Sequence, residues 1–355
     1  MNNWQTPGID VIGRHNGVVG QLYDGKRLYA SRGNQLLIRG GAGPFDPLTK
    51  LWARGAGAGT ARLPWLGQAA RAGVAAVIRT PTGAFFAVVR GALWRFMDDV
   101  WTRSWTYPAF RKPARRGICV DREGRIFVAQ YTLNRDRAMP IVLWRSDDDG
   151  HTFHEVYTFA PGEVRHIHFV QVDPADGSLW MGTGDGDDEC RLMRSVDGGR
   201  TFETLGAGGQ RWRAIALAFL DDAVVWGTDA GRDAGDFRNL AVRFDRKTGR
   251  LDDVCPLQGP VHGVTATGGG DVWLATGLEG GANEEDDRVH VWRGVGGDDF
   301  SEVSSFPQGP QPRRVQYAIT HFVTGQHSQP ADAPVSLVLR GIRGMALGTL
   351  DVRPR

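Results

Sequence analysis

Leu143-Trp144-Arg145-Ser146-Asp147-Asp148-Asp149-Gly150-His151-Thr152-Phe153 decides the fold of this 355-residue chain, because its first three residues recur. Two apolar residues followed by arginine stand at Leu37-Ile38-Arg39, Leu93-Trp94-Arg95, Leu143-Trp144-Arg145, Leu192-Met193-Arg194, Ala241-Val242-Arg243 and Val291-Trp292-Arg293. These arginines are 56, 50, 49, 49 and 50 residues apart. Val338-Leu339-Arg340-Gly341-Ile342-Arg343 is the expected seventh copy. A repeat of about 40–50 residues is the mark of a propeller, with one four-stranded sheet in each repeat.

Working outward from the motif, each unit opens on a short apolar run, such as Gly117-Ile118-Cys119, Phe169-Val170 or Gly263-Val264. A Gly- or Asp-bearing turn follows, as at Glu123-Gly124 and Asp176-Gly177. A second apolar run comes next: Ile126-Phe127-Val128, Leu179-Trp180-Met181, Val224-Val225-Trp226 and Val272-Trp273-Leu274 are examples. The arginine motif lies on the third strand, and a hairpin leads to the fourth. The runs are short, β-branched or aromatic, and punctuated by glycine, so they are strands and not helices. The reading is all-β: a seven-bladed propeller of four-stranded antiparallel blades in a single domain, 1–355. The blades span roughly 13–60, 70–108, 113–160, 164–206, 210–256, 260–307 and 313–355 plus 4–12. Ile9-Asp10-Val11-Ile12 supplies the missing fourth strand of the last blade, closing the ring and removing open edges.

Composition narrows the function classes. The chain carries 42 basic and 40 acidic residues, a net charge of +2, which by itself points to neither nucleic acid nor membrane. Cys119, Cys190 and Cys255 fall in three repeats without metal-type spacing, which suggests free thiols in a reducing compartment. With no apolar leader and no membrane-length run, the expectation is a soluble cytoplasmic protein. Nothing in the sequence speaks to oligomeric state.

Two hairpins share the form S-x-D-x-G-x-T-F: Ser146–Phe153 and Ser195-Val196-Asp197-Gly198-Gly199-Arg200-Thr201-Phe202, 49 residues apart. Ser and Asp side chains there bond the amides of the turn, Gly takes a positive φ, and the aromatic tucks between strands. Looser versions lie at 245–249 and 294–300. This motif is the Asp box, or BNR repeat, and the chain resembles the sialidase-like propeller superfamily. The resemblance implies that the Asp boxes are structural and lie away from the active site.

Strand one starts, and strand two ends, on the face opposite those hairpins. His15, Arg71, Arg116, Arg165, His166, His168, Arg213, His262, Arg314 and Tyr317 map to strand-one starts. Tyr131, Asp185, Asp229 and Glu279 map to strand-two ends. Insertions at Thr132–Pro140, Arg232–Arg238 and Gly280–Arg288 wall the same face. Arginine clusters suit planar carboxylates and sulfates, so the expected partner is an acidic oligo- or polysaccharide. The opposing reading is that these arginines pair with Asp185, Asp229 and Glu279 and simply line a wet channel.

His166 and His168 are the densest site candidate, as acid and base near neutral pH. No cofactor is expected. A divalent metal on these histidines with Asp185 or Glu279 is the alternative, though His-x-His alone is a weak ligand pattern. By resemblance to sialidases, Tyr317 with Glu279, and Arg116, Arg213 and Arg314, imitate the nucleophile pair and arginine triad. Against this, the N-terminal unit lacks the Arg-Ile-Pro signature, and seven repeats exceed the usual six blades. Seven-bladed uronate lyases look similar in outline; there His166, His168 and Tyr131 would be base and acid, with Arg213 and Arg116 on the uronate. Hydrolysis by two carboxylates, Asp185 with Asp229 or Glu279, is a third mechanism. The expected catalytic set is His166, His168, Tyr131, Arg213, Asp229 and Glu279. The substrate-binding set is His15, Arg71, Arg116, Arg165, Asp185, His262, Arg314 and Tyr317. The alternative function is a non-catalytic propeller that binds a glycan or protein in glycan assembly.

Overall fold

The computed structural model describes residues 3–41, 43–51, 73–108, 110–311, 317–323, 325, 330–331 and 333–355. Among them are 28 strands in seven four-stranded antiparallel sheets, with two short 3-10 turns and no α-helix. The fold is a seven-bladed β-propeller. The first blade holds Val19–Tyr23, Arg27–Arg32, Gln35–Gly40 and Asp46–Lys50. The second holds Ala76–Arg79, Phe85–Val89, Ala92–Met97 and Val100–Thr106. The third holds Ile118–Val120, Ile126–Ala129, Ile141–Ser146 and His154–Phe159. The fourth holds His166–Val172, Leu179–Gly184, Arg191–Ser195 and Glu203–Ala207. The fifth holds Ala218–Phe219, Ala223–Gly227, Leu240–Asp245 and Leu251–Pro256. The sixth holds Val261–Ala266, Val272–Thr276, Arg288–Val295 and Asp298–Pro307. The seventh orders Ile319–Phe322, Val335–Ile342, Met345–Pro354 and, from the other end of the chain, Ile9–Asn16.

Within a blade, burial falls from the inside outward. Second strands such as Leu179–Gly184, Ala223–Gly227 and Val272–Thr276 are buried along their whole length, which explains their continuous apolar run. Fourth strands such as His154–Phe159 are mostly exposed.

The chain divides into two compact units. One comprises Met1–Lys26, Asp185–Asp187 and Gly209–Arg355; its core packs Ile9, Trp273, Phe306, Leu337 and Leu350. The other comprises Arg27–Gly184 and Asp188–Gly208; one apolar cluster in it holds Phe86 and Val128, and another holds Phe127, Phe159 and Met181.

The recurring arginine of the third strand has a structural job. Arg194 reaches Asp176 at 2.6 Å, Arg243 reaches Asp222 at 2.5 Å and Arg293 reaches Asp271 at 2.6 Å, each in the turn between strands one and two of its own blade. Arg95 instead reaches Asp149 at 2.6 Å, and Arg145 reaches Asp147 at 2.9 Å. The seventh copy is a correction to the sequence reading. Val338-Leu339-Arg340 lies on the second strand of the last blade, and the third strand is Met345–Pro354. A long connection between the first two strands, 323–334, displaces the period there.

The two S-x-D-x-G-x-T-F turns have the expected local bonding. Ser146 Oγ accepts the Gly150 N–H at 2.9 Å, and Asp148 accepts the Thr152 N–H at 2.9 Å and its hydroxyl at 2.6 Å. Ser195, Gly199, Asp197 and Thr201 repeat this at 2.9, 3.0 and 2.7 Å. Phe153 stacks on Trp105 with centroids 4.4 Å apart. Donated hydrogen bonds stabilise the ionised Asp197, first from the Thr201 amide, and hold its carboxyl well below the usual range.

Candidate functional site

The first-named unit gathers Asp185, Arg213, Asp229, His262 and Glu279 in one cluster. Asp229 follows the buried strand Ala223–Gly227, and its N–H donates to the Arg213 carbonyl at 3.0 Å. Arg213 follows the 3-10 turn Gln210–Trp212. His262 sits where the strand Val261–Ala266 slips register between Val261 and Gly263. Its ring lies over Gly277: a Cβ there would come 2.3 Å from His262 Cδ2, so only glycine leaves room. Glu279 follows the strand Val272–Thr276, and Glu284 fixes its backbone. Glu284 Oε1 accepts the N–H groups of Glu279, Gly280 and Gly281 at 2.6, 2.6 and 2.9 Å.

Arg213 is buried and already engaged. Its guanidinium meets Asp233 at 3.1 and 3.3 Å, the Asp185 carboxylate at 3.1 Å and the Gln210 side chain at 3.3 Å. Its Nε lies 3.8 Å from Asp229. Burial works against its charge, but Asp229, Asp185 and Asp233 outweigh burial and raise its pKa further.

His262 Nε2 lies 3.3 Å from Glu279 Oε1 and 3.9 Å from Asp229 Oδ1. Burial opposes the imidazolium, yet Glu279 and then Asp229 prevail, and its pKa is raised to about 9. Burial pushes the Asp229 carboxyl up to about 7, against the pull of His262 and Arg213. For Glu279, burial is overcome by His262 and Arg213, and the net direction is downward. Two carboxyl groups of one cluster are thus driven apart, one titrating near neutrality and the other lowered and ionised there.

The facing atoms of Asp229, His262 and Glu279 all lie within 4.8 Å of one another, a set that suits a divalent ion. An ion there would have to displace the His262 proton and sit against Arg213. We therefore read the trio as sharing protons.

In the same unit, His15 pairs with Asp351 at 2.9 Å, apart from this cluster, and Tyr317 is exposed. The second unit holds a separate group. Tyr131 and His166 have ring centroids 4.2 Å apart, and His166 and His168 4.9 Å. His166 Nδ1 bonds the Thr132 carbonyl at 2.9 Å. Arg165 donates from Nε to the Leu133 carbonyl at 3.0 Å, and burial pushes the Arg116 guanidinium down to about 10. Arg71 and Arg314 lie outside the described residues. Sequence reasoning missed Gln210 and the backbone-fixing role of Glu284, which it had weighed only as part of an acidic, solvated loop. The signal for Glu284 was present in Glu279-Gly280-Gly281, a glycine-bearing turn whose free amides a carboxylate three to five residues on can accept.

No protein-family model matches the chain, and no curated protein matches its sequence. Solved structures share the fold. One is a GH74 xyloglucanase from Xanthomonas campestris, 18% identical, with a TM-score of 0.56 over 84% of this chain and 46% of that one. An ancestral GH74 enzyme is 12% identical, with a TM-score of 0.55 over 96% of this chain and 45% of that one. A chain of the Mitotic Checkpoint Complex is 11% identical, with a TM-score of 0.55 over 98% of this chain and 94% of that one. This chain spans less than half the length of either GH74 protein. At such identities the likeness is one of fold, the β-propeller.

Proposed function

We propose that this protein is a carbohydrate-active propeller of the sialidase-like, Asp-box kind that hydrolyses a glycosidic bond. The observation that carries the reading is the buried Asp229 carboxyl, pushed up to about 7 beside an ionised Glu279. Asp229 is the acid and Glu279 the nucleophile. Their facing oxygens lie within 4.8 Å, nearer the separation of about 5–5.5 Å in retaining glycosidases than that of about 6.5–9.5 Å in inverting ones. Glu279 attacks the anomeric carbon while Asp229 gives its proton to the departing oxygen. Water then attacks the glycosyl ester, Asp229 takes back a proton, and Glu279 leaves as carboxylate. His262 holds Glu279 ionised, and Arg213 fixes Asp229. That two structural neighbours are GH74 enzymes agrees with a carbohydrate substrate. Elimination from a uronate has less support. It needs a free cation on the sugar carboxylate, and Arg213 already serves Asp185 and Asp233.

The test is a panel of oligosaccharides followed for new reducing ends and for unsaturated-uronate absorbance. Reducing ends with retained anomeric configuration are expected. Asp229→Asn and Glu279→Gln should each lower kcat by about 10²-fold or more. Absorbance that survives both substitutions would move the chemistry to Tyr131, His166 and His168. Neither signal would favour a binding propeller.

A further inference from the structure

The insertion after Asp229 brings up a cation that the cluster does not use. Arg232 opens the 3-10 turn Arg232–Ala234, and its guanidinium crosses onto Gly280. A Cβ at Gly280 would come 3.1 Å from Arg232 Nε and 3.2 Å from Nη2. Gly280 also has a φ of +85°, so both its backbone and the guanidinium laid over it call for glycine. Gly280 directly follows Glu279, and Gly231 directly precedes Arg232. The Cβ position of Gly231 lies 3.3 Å from Glu279 Oε2. Packing, not a carboxylate, thus sets Arg232 one residue along from the proposed nucleophile. Each carboxylate around it answers another donor. Asp233 pairs with Arg213 at 3.1 Å, Glu279 faces His262 at 3.3 Å, and Glu284 accepts the amides of Glu279, Gly280 and Gly281. Arg232 itself is exposed and, among the described residues, has no hydrogen bond or ion pair.

We infer that Arg232 is the specificity-determining cation of this site: its guanidinium receives an oxyanion, carboxylate or sulfate, on the glycan bound at Asp229 and Glu279. The inference rests on the glycan-cleaving reading and names its substrate class, an acidic glycan. A planar guanidinium offers paired donors that match either oxyanion. Arg213 cannot take this part, because its side chain is 5% exposed and already held by Asp185 and Asp233. A uronate on Arg232 does not by itself favour elimination. His262, raised to about 9, keeps its proton at neutral pH and is no base there. The protein as a whole carries a net charge of +2, so the preference belongs to this one side chain and not to the whole surface.

The experiment measures binding by calorimetry at pH 7 and low salt for matched pairs of oligosaccharides. Galacturonate, glucuronate and mannuronate hexamers are each set beside their methyl esters, and a sulfated galactan hexamer beside its desulfated form. At least one acidic member should bind roughly ten-fold more tightly than its neutral twin, and added salt should shrink the gap. A gap in the uronate pairs identifies the group as carboxylate, and a gap in the galactan pair alone identifies it as sulfate. Arg232→Ala should close the gap, and Arg232→Lys should restore only part of it, since the fork is lost. Arg238→Ala removes the same charge from the other end of the insertion, where Arg238 is also exposed, and should leave the gap intact. Equal binding within every pair, no binding in any pair, or a gap that survives Arg232→Ala overturns the inference. A gap that Arg232→Ala closes, without new reducing ends, keeps the inference and removes the hydrolytic reading. Reducing ends released from a neutral hexamer at a rate that Arg232→Ala leaves unchanged do the reverse.

Discussion

Asp229 and Glu279 carry the same functional group, and their surroundings give them opposite states. Burial penalises the Asp229 carboxylate, whereas the imidazolium of His262, its Nε2 3.3 Å from Glu279 Oε1, keeps Glu279 charged. This has a consequence for stability that needs no substrate. The folded-state pKa of His262 is raised from 6.5 to about 9, so the stability it contributes is complete below about pH 6.5 and is lost as pH rises toward 9. Asp229, raised from 3.8 to about 7, acts in the same direction at lower pH, from about 4 to 7. The melting temperature should therefore fall as pH rises from 6.5 to 9, and His262→Gln should flatten that part of the curve. Proton NMR should place the His262 midpoint near 9, and Glu279→Gln should move it down. A midpoint at the ordinary histidine value in the native protein would falsify the proton-sharing account. None of this is visible in sequence, because each shift comes from groups separated along the chain and brought within about 4 Å of one another.

At the scale of the element, the strands and turns were legible because their physics is local. Ser146, Asp148 and Thr152 bond within one turn, so eight residues of sequence contain the whole interaction. The position of His262 was less legible. Strict alternation along a strand assigns side chains to faces, but the register slips between Val261 and Gly263 and re-aims the side chain between them. A similar slip between Ile167 and Phe169 frames His168, so counting by two was unsafe at both histidines. The slip at His262 depends on Gly277 across the ladder, whose Cα hydrogen side faces the ring. Gly277→Ala should therefore be costly out of proportion to one methyl group, about 1–3 kcal/mol of stability by overpacking. Because the clash falls on His262 itself, the elevated His262 midpoint should drop toward 6.5 in the same variant. Denaturant unfolding and NMR titration check the two halves. Unchanged stability with an unchanged midpoint would mean that the ring does not occupy the place over Gly277.

For the molecule as a whole, the repeat count was the most legible quantity, because a period near 50 survives even when one copy is displaced. It also forced the inference that the chain's first strand belongs with its last. Ile9–Asn16 pairs with Met345–Pro354, with Ile9 opposite Pro354 and Asn16 opposite Gly348. For the charged residues the sequence left two readings open, a ligand surface or pairing with Asp185, Asp229 and Glu279; Arg213 follows the second toward Asp185 and Asp229, and Asp233 joins them from the insertion. The closing strand gives a test of the architecture independent of function. Ile9 is 1% exposed and packs with Phe306, Val303 and Leu350, and His15 pairs with Asp351. Deleting residues 1–16 removes that apolar contact, worth about 1.5–3 kcal/mol for one buried isoleucine. It also removes a strand's worth of ladder hydrogen bonds and uncovers the edge of Met345–Pro354. The truncated protein should unfold at a markedly lower temperature and associate through the open edge on size-exclusion chromatography. Adding the peptide 1–16 in excess should restore much of both properties, since it supplies the same edge in trans. A truncated protein that stays monomeric with the parent melting temperature would show that the seventh blade holds without its outer strand.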